Sequence, residues 1–490
     1  MKVVVSTDDG SVKQFVFNKG TDTSVLESLK PFYSETLFRK PTENKITKIY
    51  ILESSSSKLK PNTDKKKVVF FQNDGSIELR AFENIKFNND SFIENSKTVL
   101  GEKSKKNEKD AAKKTSAFVQ PIPQAFDILK LADSKPLDVI TGMFDTARLE
   151  EIQKKSKKRS YTHDEFVSVQ LLNDIGKPTF CIGTKSGLIH IIQVENDKLK
   201  FMASHEVRAP MDFLQYNDVT QNKTSEPNHV LAYGGEENLI KLIQISNDFK
   251  SMDQVWEAKN VKNDKLDLKV PIWPMSVVFT PTNGSQDETK KLNFEFLEIT
   301  KTGYIRHYKT QHGRKPLDSI DIIHDRPSQR QQWPNILRAQ LFQSEITLNG
   351  NAVASFNDSS RIVLADSSKN MLQLDPIKGF LKGKYGHRDI YGVTSCIKNF
   401  ENKYLVCGGI DGYLRIYDAQ SRNRLAKVYC KHKVLDCILE DDAEVETVES
   451  LKKAKKLLKK RKLTQEEEDQ ENEKLWGDLE NQGSSKKLKN

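Results

Sequence analysis

The chain of 490 residues lacks most of the features that announce chemistry. Its five cysteines, Cys181, Cys396, Cys407, Cys430 and Cys437, show no C-x-x-C spacing and fall inside strand-like apolar patterns. They read as core thiols in a reducing compartment rather than as a disulfide framework or a zinc cage. No run of 18 apolar residues occurs, so no membrane-spanning helix is expected. The first residues enter a strand pattern directly, without a signal-peptide core. No Walker A loop, G-x-G-x-x-G, H-E-x-x-H or G-x-S-x-G stands in the sequence, and no two of its nine histidines lie three or four apart. Phosphate cradles, zincin sites and nucleophile elbows therefore have no motif behind them, and neither an enzyme nor a metal or cofactor is expected.

What is present is a repeated hairpin. Seven times an apolar strand runs into a tight polar turn and emerges as another apolar strand, at 3–17, 68–80, 179–194, 230–245, 294–310, 361–375 and 404–418. The first, second and last turn on Asp-Gly, the pair that best accommodates the positive φ of a two-residue hairpin. In the fourth, Glu236-Glu237 occupies the turn, which makes it a solvated turn and not a carboxylate dyad. A hairpin recurring with two further strands per repeat predicts an all-β, seven-bladed β-propeller.

The seventh copy is the most detailed. Gly386-His387 precedes a strand, a hairpin turns at Asp411-Gly412, and the copy closes on Tyr417-Asp418, which is the layout of a WD repeat. Asp411 is placed to accept a hydrogen bond from the His387 imidazole, and Tyr417 takes the aromatic position, so these three form an expected blade lock. Gly408-Gly409 departs from the pattern where a Ser or Thr would continue the chain of bonds. Strand counting also predicts how the ring closes. The first hairpin has no inner strand of its own, whereas 434–439 is left over beyond the last blade. Pairing 434–439 beside 2–6 would remove the open edges.

Seven blades of about 40–45 residues need roughly two thirds of the chain. The excess is concentrated between the second and third hairpins, whose turns lie 112 residues apart, against 42 between the sixth and seventh. We expect the propeller over 1–440, with an insertion at about 84–160. Within that insertion, 88–116 is rich in Asn, Ser and Lys and reads as disordered. Residues 122–131 read as an outer strand, and 137–159 as a short amphipathic helix ending in the basic run 154–159. Residues 441–490 form a charged tail with 12 Lys/Arg and 13 Asp/Glu, so the net +10 of the chain resides on the body. Its basic block comprises Lys452, Lys453, Lys455, Lys456, Lys459, Lys460, Arg461 and Lys462, a composition open to either a solvated tail or a targeting and RNA tether. Both basic runs resemble nuclear localisation signals.

Three segments do not follow from the propeller pattern: 233–240 (YGGEENLI), 255–275 (VWEAKNVKNDKLDLKVPIWPM) and 308–316 (YKTQHGRKP). With 20–25 (GTDTSV), they resemble the Nop-seven-associated WD-repeat proteins of fungal large-ribosomal-subunit assembly, over essentially the whole chain. The resemblance implies a nuclear, nucleolar, non-catalytic factor, monomeric within the particle and without a cofactor. It also implies binding to pre-60S particles, rRNA and other assembly factors, and release by a hexameric AAA ATPase. Lys259, Lys262, Lys265, Lys269, Arg314 and Lys315 lie in blade-end loops, where cations can meet RNA phosphates or serve only solubility. Trp256, Trp273 and Trp333 read as packing residues more than as base-stacking ones. The competing reading is a propeller hub of another nuclear complex that binds peptides alone.

Overall fold

A computed structural model describes residues 1–52, 65–87, 120–155, 163–173, 177–217, 229–280, 293–322, 335–355 and 360–447, short of 124, 264, 265, 343, 349, 350, 377, 387 and 388. The chain divides into two compact units, 1–85 with 129–443, and 86–128 with 444–490. In the second, an isolated bridge pairs Pro123 with Thr447, and the rings of Phe87 and Phe126 lie 5.3 Å apart.

All seven predicted hairpins form, and each is the middle of an antiparallel sheet of at least four strands. Blade 1 orders as Val434–Asp441, Lys2–Thr7, Ser11–Val16 and Tyr33–Arg39 from the inside outward. The inner strands of blades 2 to 7 are Ile46–Leu52, Phe166–Asn173, Phe213–Tyr216, Pro274–Thr280, Ile336–Phe342 and Thr394–Phe400. Val434–Asp441 pairs with Lys2–Thr7, Cys437 opposite Val5 and Asp436 opposite Ser6, so the ring closes through strands from both ends of the chain as expected. The outer strand of blade 7, Arg424–Tyr429, is in turn covered by 20–23, whose backbone exchanges hydrogen bonds with Leu425 and Lys427. Sheet edges that would otherwise present unpaired amides are thereby used up.

Seven apolar clusters hold the ring, one between each pair of neighbouring blades. Blades 7 and 1 share Val406, Leu414, Ile416, Val3, Val5 and Cys437; blades 4 and 5 share Ile240, Leu242, Val277, Phe279, Phe296 and Tyr308. Alternating strands explain this, since a sheet stacked between two others buries both faces.

The insertion corrects the helix boundary. Helix Thr146–Lys155 begins nine residues later than the 137–159 segment suggested, and Asp138–Ile140 is instead a short strand on Ile77–Leu79. Met143 and Leu149 are buried as their apolar spacing required, but Val139 belongs to the strand. The outer strand predicted within 122–131 is Phe126–Leu131. A further hairpin, Ser344–Leu348 with Asn351–Ser355, lies between the first two strands of blade 6 and was not anticipated. The 88–116 segment and the tail from 448 onward lie outside the described residues.

A polar tie recurs just after the central hairpin turns. Gly187 (φ 81°) is one such turn residue, and a side chain there would bring its Cβ within 2.7 Å of Val207 O. Three residues beyond the turn, Lys13 donates to Cys430 O at 2.8 Å, His190 Nε2 meets Met143 O at 2.8 Å, and Arg415 donates to Asp389 O at 2.9 Å. Glu78 takes Lys40, and in blade 4 Asn238 donates to Arg208 O and Pro210 O, backed by Lys241. Each of these partners sits in the loop that leads into the blade, so the buried polar group fixes that loop to the turn. Blade 5 places Arg306 at this position, 3.5 Å from Glu298 in its own sheet, and blade 6 places the buried, apolar Leu372 there.

Candidate functional site

Residues 258–273 connect the outer strand of blade 4, Met252–Glu257, to the inner strand of blade 5. They hold four of the six predicted docking cations; Arg314 and Lys315 follow strand Tyr304–Lys309 of blade 5. The fold brings these two loops together. Lys259 N–H donates to Arg314 O at 2.7 Å, while Arg314 donates through Nε to Glu257 O at 2.6 Å and through Nη2 to Glu257 Oε2 at 2.9 Å. Asn260 Nδ2 ties the base of the connector by donating to Val270 O at 3.0 Å.

The cations differ in how far they are satisfied. Lys259, Lys262 and Lys315 are exposed and make no ion pair among the described residues. Arg314 is paired with Glu257, and Lys269 with Glu237 at 2.8 Å. Exposed pairs of this kind are worth about 0–1 kcal/mol, so an incoming phosphate displaces them at little cost. Lys265 and the tail cations lie outside the described residues.

The sequence reading passed over Leu266 and Leu268, which are 78% and 59% exposed on the same connector. The signal was present: leucines alternating with charged residues between two blades.

The two described tryptophans are engaged in packing. Trp256 stands edge-on to Phe296 and Tyr308, with ring centres 5.5 and 5.7 Å away. Trp273 donates to Asp212 at 2.8 Å and carries the Lys301 ammonium 3.3 Å above its ring. Asp212 also accepts Glu236 N–H at 3.0 Å and pairs with Lys185, which pins the turn of blade 4 to its entry loop. Trp333 lies outside the described residues.

At the predicted blade lock, the Asp411 carboxylate is held by the Arg415 guanidinium through both of its oxygens. Burial alone would raise the Asp411 carboxyl, but the hydrogen-bonded Arg415 outweighs it and holds it below the usual range. Tyr417 is fully buried, its ring edge-on to Tyr385 at 5.8 Å. His387 lies outside the described residues. Among the described residues no cluster of His, Cys, Asp and Glu is arranged to hold a metal ion, and no helix is long and apolar enough to cross a membrane.

Seven stacked sheets, closed by strands from both ends and most of them tied at their turns by buried polar groups, define a β-propeller of the WD-repeat class. No protein-family model matches the chain. The chain is 36% identical to ribosome biogenesis protein NSA1 of Vanderwaltozyma polyspora over 456 residues, 92% of this chain and 91% of that one. It is 34% identical to the protein of the same name from Saccharomyces cerevisiae S288c over 492 residues, 99% and 98% of the two chains. It is 28% identical to that of Schizosaccharomyces pombe over 235 residues, 44% and 54% of the two chains. The chain therefore belongs to the NSA1 family of ribosome biogenesis proteins. The solved structure of Saccharomyces cerevisiae Sqt1 is similar at a TM-score of 0.41 and 11% identity, covering 78% of this chain and 87% of that one; the propeller assignment rests on the sheets themselves.

Proposed function

We propose that this chain is a non-catalytic scaffold that docks on pre-60S particles in the nucleolus, meeting rRNA phosphates and neighbouring assembly factors through connector 258–273 and the adjoining 313–316 turn. One observation carries the reading. Three exposed lysines without carboxylate partners among the described residues are gathered at the edge between blades 4 and 5 of a chain from a ribosome biogenesis family. Cations so placed bind a phosphate backbone by releasing its counterions, which gives affinity without reading sequence. The chain acts there as a monomer with no cofactor. The basic block 452–462 serves as nuclear address and tether, and a hexameric AAA ATPase releases the protein from the particle.

The exposed Leu266 and Leu268 favour a second contact on the same connector, with an apolar groove of a partner protein. A hub that touches protein alone is the competing reading. Tagged protein should sediment with large-subunit precursors, and RNA crosslinks should map to 259–269 and 314–315. Particle association that is insensitive to salt and yields no RNA crosslink would establish the protein-only hub instead.

A further inference from the structure

The inner strands of four blades carry charged residues at or near one level of the ring. Asp436, Lys48 and Arg338 pair with Ser6, Phe71 and Ala365, each one step back from the end of its second strand, so they occupy one level of blades 1, 2 and 6. In blade 7 that place belongs to Cys396, opposite Gly408, and Lys398 lies two residues further along the same face. Burial pushes the Lys48 ammonium down to about 8; Asp436 opposes the shift, while Lys398 and Arg338 add to it. Contacts between blades bring these groups together: the Asp436 carboxylate meets Lys398 of blade 7 and the backbone of Ile49, next to Lys48, and Arg338 of blade 6 reaches Ser395 O of blade 7.

The charges there do not balance. Asp436 is already committed: its Oδ2 accepts Ile49 N–H at 2.9 Å and lies 3.4 Å from Lys398 Nζ. Arg338 donates to two carbonyls, Ser395 O at 3.3 Å and Leu337 O at 2.8 Å. Lys48 is half-buried and makes no hydrogen bond or ion pair among the described residues. Three cations thus stand around one carboxylate, Lys48 half-buried, Lys398 30% exposed and Arg338 exposed, so a surplus of positive charge is reachable by a small solute.

We propose that this inner wall, formed by Lys48, Arg338 and Lys398, is a binding site for a compact phosphate dianion, either orthophosphate or the phosphate monoester of a small solute. A monoester carries a charge of about −1.5 to −2 at pH 7 and offers three acceptor oxygens, which matches the surplus of two positive charges. A phosphodiester carries one charge and continues as a chain in both directions, so an RNA backbone suits the outer loops and not this wall. The site goes beyond the docking function and stands or falls separately from it.

Calorimetric titration of the full chain at fixed ionic strength, with inorganic phosphate and with O-phosphoserine as a small monoester, tests the site. Saturable binding is expected for both. Lys48→Met and Arg338→Gln should each weaken it about tenfold, Lys48→Arg should retain it, and Lys259→Met should leave it unchanged. Broadening of the phosphate signal in phosphorus NMR by wild-type protein, and its retention by Lys48→Arg, provides a second readout should Lys48→Met fold poorly. Binding of phosphate but not of phosphoserine identifies the free ion as the source. No saturable binding, or equal binding by a folded Lys48→Met, overturns the site. So does Lys48-dependent binding of a 5′-phosphorylated oligonucleotide without binding of either small probe.

Discussion

At the seam between blades 7 and 1, Arg415, Arg424 and Lys427 are each matched by carboxylates of Asp22, Asp389 and Asp411; Arg424 and Lys427 both reach Asp389 at 2.7 Å. At the junction of blades 4 and 5, Lys259, Lys262 and Lys315 stand in solvent with no such partner among the described residues. Residue type is the same in the two places, yet burial reverses its use. A buried cation must be answered within the fold, because leaving its partner alone costs several kcal/mol. An exposed cation contributes little to folding, so it remains available to something outside. The proposed docking surface is accordingly drawn from basic residues of the second kind, not from the total charge.

Removing the seam altogether should have the largest effect. Truncation before Lys433 deletes strand Val434–Asp441, whose Val434, Cys437 and Leu439 are buried. At about 1.5–3 kcal/mol for a fully buried large apolar side chain, the loss approaches the whole stability of a domain. Soluble expression and a cooperative melt should vanish, whereas truncation from 448 should keep both. An unchanged melt in the shorter chain would refute closure by this strand.

Next comes Arg415→Met, which strands Asp411 and should cost about 3–5 kcal/mol in denaturant unfolding. It should also alter the acid response. Burial would raise both carboxyls, but hydrogen bonds from Arg415 to Asp411 and from Lys427 and Arg424 to Asp389 hold them below the usual range. A depressed carboxyl contributes stability that is complete above its unfolded pKa of about 3.9 and is lost as pH falls through the folded value. The wild-type melting temperature should therefore drop on acidification below about pH 4, and the variant's should drop less. An identical acid slope in both would mean that Arg415 does not set the Asp411 carboxyl.

Changing Lys259, Lys262 and Lys315 together to Glu should do the reverse. Stability should move by no more than about 0.5 kcal/mol, while sedimentation with pre-60S particles is lost. Retained sedimentation would move the docking surface elsewhere. The smallest effect is expected from neutralising 452–462: folding and most particle contacts should persist, and nucleolar retention should weaken under the microscope.

Much of this was legible in the sequence because turn chemistry is local. Asp8-Asp9-Gly10, Asp74-Gly75 and Asp411-Gly412 announce their hairpins without reference to the rest of the chain, and counting strands around them gives the ring and its closure. Asp138–Ile140 was missed because three residues are too few to show alternation, so Val139 was absorbed into the helical spacing beside it. Arg415 was not recognised as the partner of Asp411 because the turn between them brings side chains four apart face to face, which linear spacing does not reveal. The unmatched state of Lys259, Lys262 and Lys315 was equally hidden, since Glu237 and Glu257 choose Lys269 and Arg314 only once the loops have folded.

Leu372 has a consequence of another kind. Where blades 1 to 4 and blade 7 tie their turn to the entry loop with a buried polar group, blade 6 has an apolar side chain; its turn is held by Asp366, which accepts Ser368 and Asn370 N–H, and by Ser367, which donates its N–H to Asn335 O and accepts Asn335 N–H. The tie to the connection arriving from blade 5 therefore runs through exposed Ser367 and Asn335, not through a buried side chain. Proteins open in cooperative sections of unequal free energy, and such a section is the first to exchange its amide hydrogens. Amides of 361–374 should lose protection ahead of 404–418 in native-state exchange, which would make blade 6 the gate through which the closed ring loosens.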